Sequence, residues 1–195
     1  MESPYSGGHQ GYKREELNDL ERANRIFEQD VRQTIELKKY YEEKYGHGIP
    51  LFMAGGISAH HDVIRAMSLG ADGVQVGTRF IPTIECDASD AYKQAFVRAN
   101  EEDLIIIDSP VGMPARAIRN SFVERMMQSG EKINHCYDCL KACDPSKAKY
   151  CISQALINAV KGDLENGLIF CSTKVGEIKE IQPVAEVIND LLSEA

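Results

Sequence analysis

The sequence lacks any apolar run approaching the roughly 18 residues that a membrane span needs, so no transmembrane helix is expected. Its first residues show neither the basic stretch nor the apolar core of a secretory leader, and we therefore expect a cytoplasmic protein. Positive charge is also scarce, because 22 lysines and arginines stand against 30 aspartates and glutamates, a net charge of −8. Nucleic acid and anionic membranes are not expected partners, since their phosphates would be repelled.

What the chain does have is an ordinary globular composition. Hydrophobic residues make up 43% and charged residues 27% of its 195 residues, close to the averages for soluble domains. The length predicts one domain, with room for a small appendage.

Strands, glycine loops and helices alternate in the first half of the chain. A charged, helix-favouring stretch covers about residues 15–45, with Asp30 as a candidate cap. The apolar run IPLFMAGG then predicts a buried parallel strand, a helix follows over about residues 59–69, and ADGVQVGTRF predicts a second strand. This alternation is typical of an α/β protein with a parallel sheet, although only two convincing parallel strands are visible. Further helices are expected over about residues 91–100, 117–127, 152–161 and 184–192.

Two glycine-containing loops follow the two predicted strands. They are Ala54-Gly55-Gly56 and Gln75-Val76-Gly77-Thr78. Glycines at the carboxyl ends of neighbouring parallel strands let backbone N–H groups converge on an anion, and the last two loops of a barrel are a common phosphate site. One such loop alone is best explained as an ordinary turn, whereas two in succession favour phosphate binding.

A third group of residues, Gly7-Gly8-His9, lies in the turn-rich first dozen residues, which we expect to form a loop rather than a strand. Adjacent glycines let the backbone approach a ligand, and an imidazole suits acid/base chemistry near neutral pH. The alternative is a flexible tail with an incidental histidine.

Taken in order, the blocks SGGHQG, PLFMAGGIS and GADGVQVGTRF resemble the nitronate monooxygenase family, formerly called 2-nitropropane dioxygenases. That family is similar to flavin-dependent enoyl-ACP reductases. The blocks SPVGMPARAIRN, CYDCLKACDP, YCISQALINAVKGD and GLIFCS are similar to its members as well, so the resemblance covers the chain from about Ser6 onward. It implies the C-terminal part of a TIM (β/α)8 barrel at residues 1–110, followed by a helical, cysteine-containing appendage at 111–195.

The resemblance also implies an FMN-dependent oxidoreductase. His9 would be the catalytic acid or base, and Gly7 and Gly8 would line the flavin. The remaining cofactor contacts would come from Ala54, Gly55, Gly56, Gln75, Val76, Gly77 and Thr78. The implied small-molecule substrate is a nitronate or nitroalkane oxidised with oxygen; a reductase member would instead use NAD(P)H with an enoyl thioester or a quinone-like acceptor.

Two features depart from the family pattern. Ala115 stands where the family has a glycine before an arginine, so the local backbone is in doubt. In the family, moreover, strands that contact the flavin ring precede the histidine loop, and this sequence does not supply them. Because two or three isolated parallel strands would expose their edges, we expect a homo-oligomer or a complementing N-terminal half.

Four of the six cysteines, Cys136, Cys139, Cys143 and Cys151, fall within 16 residues. Four thiols at such spacing are able to bind zinc or an iron–sulfur cluster. However, only one C-x2-C pair occurs, and Cys151 opens a predicted amphipathic helix, where thiols pack as small apolar groups. We therefore favour packing or redox-sensitive thiols and predict no metal.

The other charged candidates have simpler explanations. His60 and His61 are expected to be solvated or to cap a helix, and Arg79 has a carboxylate partner as a ready alternative to a phosphate. Arg116 and Arg119 are weaker candidates for a nicotinamide phosphate. Two other classes of protein stay open: an inactive phosphate-binding fragment that depends on a partner chain, and a metal-binding module built on the cysteines.

Overall fold

The structure, a computed structural model, describes residues 1–141 and 143–193. Its strands are β1 (Gly8–His9), β2 (Phe52–Ala54), β3 (Gly73–Gln75), β4 (Leu104–Asp108) and β5 (Pro114–Ile118). Its α-helices are α1 (Leu20–Tyr45), α2 (His60–Ser68), α3 (Asp90–Arg98), α4 (Ser121–Gln128), α5 (Ile152–Lys161) and α6 (Val184–Leu192). The strands form a parallel pair, β2–β3, and an antiparallel sheet in the order β1-β5-β4.

The parallel pair has one covered face and one open face. Met53 and Val74 are partners in register and pack against α1 and α2. Phe52 and Gln75 point to the opposite face, because side chains alternate along a strand, and 52% of Phe52 is exposed. The parallel pairing of these two strands confirms the α/β prediction for this part of the chain.

The first three residues extend this sheet beside β2. The Met1 carbonyl accepts a hydrogen bond from the Ala54 amide at 2.9 Å, and the Ser3 amide donates to the Ala54 carbonyl at 2.8 Å. Glu2 forms the corresponding parallel bridge with Ala54. The first dozen residues, expected to form a loop whose preceding strand is missing, therefore also pair through residues 1–3 with the free edge of β2.

Helix α1 begins at a different cap from the predicted one. The Asp19 side chain accepts a hydrogen bond from the Arg22 amide at 2.9 Å, and Asp30 lies inside the helix. The helix ends at Gly46, whose φ of 70° is the left-handed conformation that glycine adopts without strain.

The antiparallel sheet was not predicted. Strands β4 and β5 form a hairpin that pairs Leu104 with Ile118 and Asp108 with Pro114, and β1 pairs with the other edge of β5. A bridge from Ala117 to Phe170 continues along that second edge. The expectation that residues 111–195 are helical was thus wrong over β5, and the predicted helix at 117–127 is replaced by the shorter α4.

Both faces of this antiparallel sheet are covered. Helix α4 and the start of α5 pack on one face, where Ala115 and Ala117 are fully buried, and α3 packs on the other face. The boundary between the two predicted regions, at residue 110, falls inside the β4–β5 turn, so strands on both sides of it belong to the same sheet. Of the helices that the structure describes, none is long and apolar enough to cross a membrane.

Candidate active site

The loop that carries His9 is held in place by a buried glutamine. Gln10 is 1% exposed, and its Nε2 donates to the carbonyls of Ser6 and Gly8 at 2.9 and 3.1 Å. The Ser6 hydroxyl donates in return to Gln10 Oε1 at 3.3 Å. The segment is therefore an ordered loop, and the alternative of a flexible tail is wrong.

Both glycines of this loop are required by the chain itself. A Cβ on Gly7 would lie 2.3 Å from the backbone carbonyl carbon of Cys171, closer than any side chain tolerates. Gly8 has a φ of 73° and lies against the Phe170 ring. These glycines let the histidine loop lie directly on residues 170–172.

His9 is oriented by two contacts. Its Nε2 lies 2.8 Å from Ser109 Oγ, and its ring stands edge-on to Phe170 with the centroids 5.2 Å apart. Within residues 1–141 and 143–193, its second ring nitrogen, Nδ1, has no hydrogen-bond partner. Partial burial lowers the pKa of His9 below its usual value of 6.5, so the imidazole is neutral at pH 7.

Ser109 is a site residue that the sequence reasoning missed. It lies in the β4–β5 turn, is 8% exposed, and also accepts a weak hydrogen bond from the Val111 amide at 3.4 Å. The Tyr150 hydroxyl is buried beside Ser109, yet no hydrogen bond of standard geometry joins it to a described residue. Burial raises the pKa of Tyr150 to about 12, although the proximity of Ser109 lowers it, so this hydroxyl stays protonated. The only local signal for Ser109 was its place in the block SPVGMPARAIRN.

Arg116 supports the histidine loop instead of binding a ligand. It is 3% exposed, and its Nη1 donates to the carbonyls of Pro4, at 2.8 Å, and of Ser6. Burial lowers the pKa of its guanidinium. The suggestion that Arg116 receives a nicotinamide phosphate was wrong, because its donors already serve backbone carbonyls; Arg119 remains exposed.

The two predicted phosphate loops lie side by side. Ala54 is paired with Gln75, which places Gly55–Gly56 next to Val76–Gly77 at the neighbouring strand ends, about 4.8 Å apart across the sheet. Among the residues that the structure covers, the amides of Gly55, Gly56 and Gly77 donate to no protein acceptor. Free N–H donors on two adjacent strand ends fit an anionic group such as a phosphate.

The glycines of these loops are present for different reasons. A Cβ on Gly55 would approach Ser3 Oγ to 2.7 Å, and one on Gly56 would approach Tyr5 Cβ to 2.6 Å. Their φ values of 95° and 69° also favour glycine. Gly77 has no atom within 4 Å of its hypothetical Cβ, so nothing in this chain explains it by contact.

Segment 170–173 joins the two groups of predicted site residues; in the sequence it falls partly within the block GLIFCS, for which no role was predicted. Its Cys171 carbonyl faces Gly7, as the close approach there requires, and the Ser172 amide donates to Thr78 Oγ1 at 3.0 Å. The Thr173 amide donates to the Tyr5 carbonyl at 3.1 Å. Because Thr78 acts as an acceptor in this bond, its hydroxyl proton remains available to another group.

A cavity of about 530 Å³ opens beside Ala54, Gly55 and Gly56. Lys174 lines it and supplies a positive charge, paired with Glu177 at 2.6 Å and with Asp62 at 3.7 Å. Gly77 and Thr78 lie outside its lining, so this cavity does not unite the two loops.

The other charged candidates have protein partners. Arg79 Nη2 donates to Gln182 at 2.5 Å and to Asp190 at 2.9 Å. Of its two expected partners, a phosphate or a carboxylate, the structure therefore shows the carboxylate. Asp62 accepts hydrogen bonds from the Ser58 and Ala59 amides and thereby caps α2. The neighbouring His60 and His61 contact the Leu191 carbonyl and Asp62, respectively.

The four clustered cysteines line one cavity of about 80 Å³. Burial raises the pKa of the Cys143 thiol, and the nearby thiols of Cys136, Cys139 and Cys151 raise it further. In the described part of the chain, no three histidine, cysteine or acidic side chains already converge at the spacing of a single metal ion.

Comparison with known proteins places the chain in a family. The family model for nitronate monooxygenase matches residues 1–194. This protein therefore belongs to the nitronate monooxygenase family, as its sequence blocks predicted.

Curated relatives match part of the chain. It is 39% identical over 85 residues to a probable nitronate monooxygenase of Staphylococcus saprophyticus, covering 44% of this chain and 24% of that protein. A probable nitronate monooxygenase of Staphylococcus haemolyticus is 42% identical over 80 residues, covering 41% of this chain and 22% of that protein.

Solved structures match nearly the whole chain. FabK from Thermotoga maritima superposes with a TM-score of 0.69 and 29% identity, over 98% of this chain and 51% of FabK. Nitroalkane oxidase from Streptomyces ansochromogenes gives a TM-score of 0.65 at 20% identity, over 97% of this chain and 49% of that protein, a likeness of fold alone. The chain thus spans about half the length of these solved proteins and carries part of an α/β fold of the TIM-barrel type.

Proposed function

We propose that this chain supplies the acid/base and phosphate-binding part of an FMN-dependent oxidoreductase that oxidises alkyl nitronates or nitroalkanes with oxygen. One observation carries the proposal: His9, neutral and partly buried, is held by Ser109 at 2.8 Å in an ordered glycine loop. A general base needs this combination of a fixed orientation and an unprotonated ring at working pH.

The donor set of the chain fits FMN. The free amides of Gly55, Gly56 and Gly77, with the hydroxyl proton of Thr78, would hold the phosphate. Lys174 lies beside the first loop, but Glu177 and Asp62 already pair with its charge, so the phosphate site depends on the backbone amides and the threonine hydroxyl. Gln75 is exposed on the open face of the parallel pair and would offer its amide to the flavin. When bound, FMN supplies the redox chemistry by accepting electrons from the substrate and delivering them to oxygen.

The proton chemistry falls to His9. If Ser109 accepts the Nε2–H, as its position allows, then Nδ1 carries the lone pair and is the nitrogen without a protein partner. Nδ1 would take the α-proton of a neutral nitroalkane. For a substrate that is already an anionic nitronate, His9 would only position it.

Flavin binding and a histidine variant test this function. Protein purified with excess FMN should hold about one flavin per chain, as the implied single site requires. His9→Ala should keep the flavin but lose turnover of neutral nitroalkanes by about 10²–10⁴-fold. His47→Ala, at the exposed end of α1, is the matched control and should be unaffected. Undiminished turnover in His9→Ala would refute the acid/base role.

The likeness to FabK favours a second candidate, an NAD(P)H-dependent flavin reductase or an enoyl-ACP-reductase-like enzyme. Its small-molecule acceptor would be an enoyl thioester or a quinone. Oxygen consumption with a nitronate, measured beside NAD(P)H oxidation with each acceptor, separates the two candidates.

We further propose that a complementing N-terminal half, rather than a second copy of this chain, covers the open face of the parallel pair. Parallel sheets are normally covered on both faces, whereas Phe52 is 52% exposed on this one. The matched solved proteins also contain about as much chain again. Light scattering should find this chain as a monomer; a stable homodimer would overturn this assignment.

A further inference from the structure

Cys136, Cys139, Cys143 and Cys151 line a shared cavity; Cys136 and Cys139 are also exposed to solvent, and Cys143 and Cys151 are half-buried. Its volume is about 80 Å³, and its remaining lining is largely apolar, with Pro110, Ile133, Leu140, Pro145 and Ile152. Cys151 is the N-cap of α5 and is therefore anchored to the core, whereas the other three belong to the irregular segment before it.

The irregular segment before Cys151 is long for a connection without regular structure. Apart from Ala142, residues 129–150 contain no helix or strand. Its two ends are tied together, since the Glu131 amide donates to the Lys149 carbonyl at 2.7 Å. A connection of this length without regular structure is uncommon in a compact domain unless it is functional, and a bound metal centre is one way to stabilise it.

The arrangement of the thiols distinguishes between two kinds of centre. A single zinc ion with Zn–S bonds of about 2.3 Å draws its sulfurs to about 3.8 Å from one another. In the segment as described, no three ligating side chains converge in that way; the four cysteines line a cavity instead. An iron–sulfur cluster places several iron and sulfide atoms between its four thiolates and so suits cysteines that surround a space.

The spacing of the cysteines matches a C-x2-C-x2-C-x3-C-P run in its first pair and departs from it afterwards. The run is C-x2-C-x3-C-x7-C, and Cys143 is followed by Asp144-Pro145. Iron–sulfur clusters are held by four cysteines, often in closely spaced runs that end near a proline. We propose that Cys136, Cys139, Cys143 and Cys151 bind one iron–sulfur cluster, the alternative to the metal-free thiols that the sequence favours.

The position of the cluster gives it a structural consequence. Pro110 lines the cavity and directly follows Ser109, the residue that holds His9. The cluster would therefore tie the irregular segment to the β4–β5 turn beside the candidate active site. The proposal does not depend on flavin binding.

The test is anaerobic reconstitution of the full chain with iron, sulfide and a thiol reductant, followed by desalting. The iron is supplied as ferric iron, part of which the thiol reduces, because the oxidised clusters contain ferric iron. We expect about two or four iron atoms per chain with an equal amount of acid-labile sulfide, as in [2Fe–2S] or [4Fe–4S] clusters. The visible thiolate-to-iron absorption and a paramagnetic signal after one-electron reduction should accompany them. Serine variants at positions 136, 139, 143 and 151 should each lose most of the iron.

Cys86→Ser is the matched control, because Cys86 lies outside this cavity, and it should keep the full iron content. Circular dichroism on the variants separates loss of the cluster from loss of the fold. Wild-type protein with less than about a tenth of an iron per chain would overturn the proposal. Stoichiometric zinc without sulfide, or iron that survives all four substitutions, would overturn it equally.

Discussion

Replacing Gly7 by alanine tests whether the histidine loop packs directly on the backbone of residues 171–172. The added Cβ would lie 2.3 Å from the carbonyl carbon of Cys171 and 2.7 Å from the Ser172 amide nitrogen. Both atoms belong to the backbone, so rotation of a flexible side chain cannot relieve the clash. Gly11→Ala is the control in the same loop, since Gly11 has nothing within 4 Å of its hypothetical Cβ and its φ is not left-handed.

The expected magnitude follows from two opposing effects. Overpacking a buried contact costs about 1–3 kcal/mol, whereas the loss of glycine flexibility in the unfolded chain returns about 0.4–1 kcal/mol. Because the obstacle at Gly7 is backbone, we place Gly7→Ala near a net loss of about 2 kcal/mol, which lowers the Tm of a chain this long by about 4–8 °C. Gly11→Ala should leave the free energy of unfolding unchanged or raise it by up to about 1 kcal/mol.

Thermal unfolding followed by far-ultraviolet circular dichroism is the assay, with both variants measured under identical conditions. Equal melting temperatures for Gly7→Ala and Gly11→Ala would refute the contact between the histidine loop and residues 171–172. A repeat with added FMN would show whether the same clash also weakens flavin uptake.

Two further predictions concern titration and a buried hydroxyl. Burial lowers the pKa of His9 below 6.5, so the unfolded chain takes up this proton first as the pH falls. The free energy of unfolding should therefore decline below about pH 6.5. NMR titration should find the low pKa, and His9→Gln should flatten this part of the profile of stability against pH. Tyr150→Phe removes a buried hydroxyl that lies beside Ser109 without a hydrogen bond of standard geometry to any described residue. The free energy of unfolding should therefore stay level or rise by about 1 kcal/mol; a loss above that size in chemical denaturation would show that the hydroxyl is paired with Ser109.

The sequence predicted the elements whose signals are local. Strands β2 and β3 are short apolar runs that end in glycine, and α2, α5 and α6 match the predicted helices closely because their apolar positions recur at helical spacing. The segment of β5, Pro114-Ala115-Arg116-Ala117-Ile118, has the opposite character. Alanine and arginine favour helices, yet this segment pairs on both edges and its alanines are fully buried, so tertiary contacts override its local preference.

Site residues were missed where their partners are distant in sequence. His9 and Ser109 are 100 residues apart, and nothing next to either position records the other. Gln10 was read only as part of a glycine loop, because its role depends on complete burial beneath the neighbouring carbonyls. Segment 170–173 belongs in part to the family-like block GLIFCS, but nothing in that block indicates that it joins the histidine loop to Thr78.

The contacts of the glycines change what each glycine motif indicates about a bound cofactor. Gly7, Gly55 and Gly56 are each required by a close approach within this chain, so their presence says little about a cofactor. Gly77 has no such contact, and its amide, together with those of Gly55 and Gly56, is without a protein acceptor in the described residues. The argument for a phosphate therefore depends on these free donors and on the pairing of Ala54 with Gln75 that aligns them. Gly77→Ala keeps its amide donor and adds a Cβ that meets no described atom within 4 Å, so it should leave the free energy of unfolding unchanged, unlike Gly7→Ala; a loss of flavin affinity would then report a contact between that Cβ and the bound flavin.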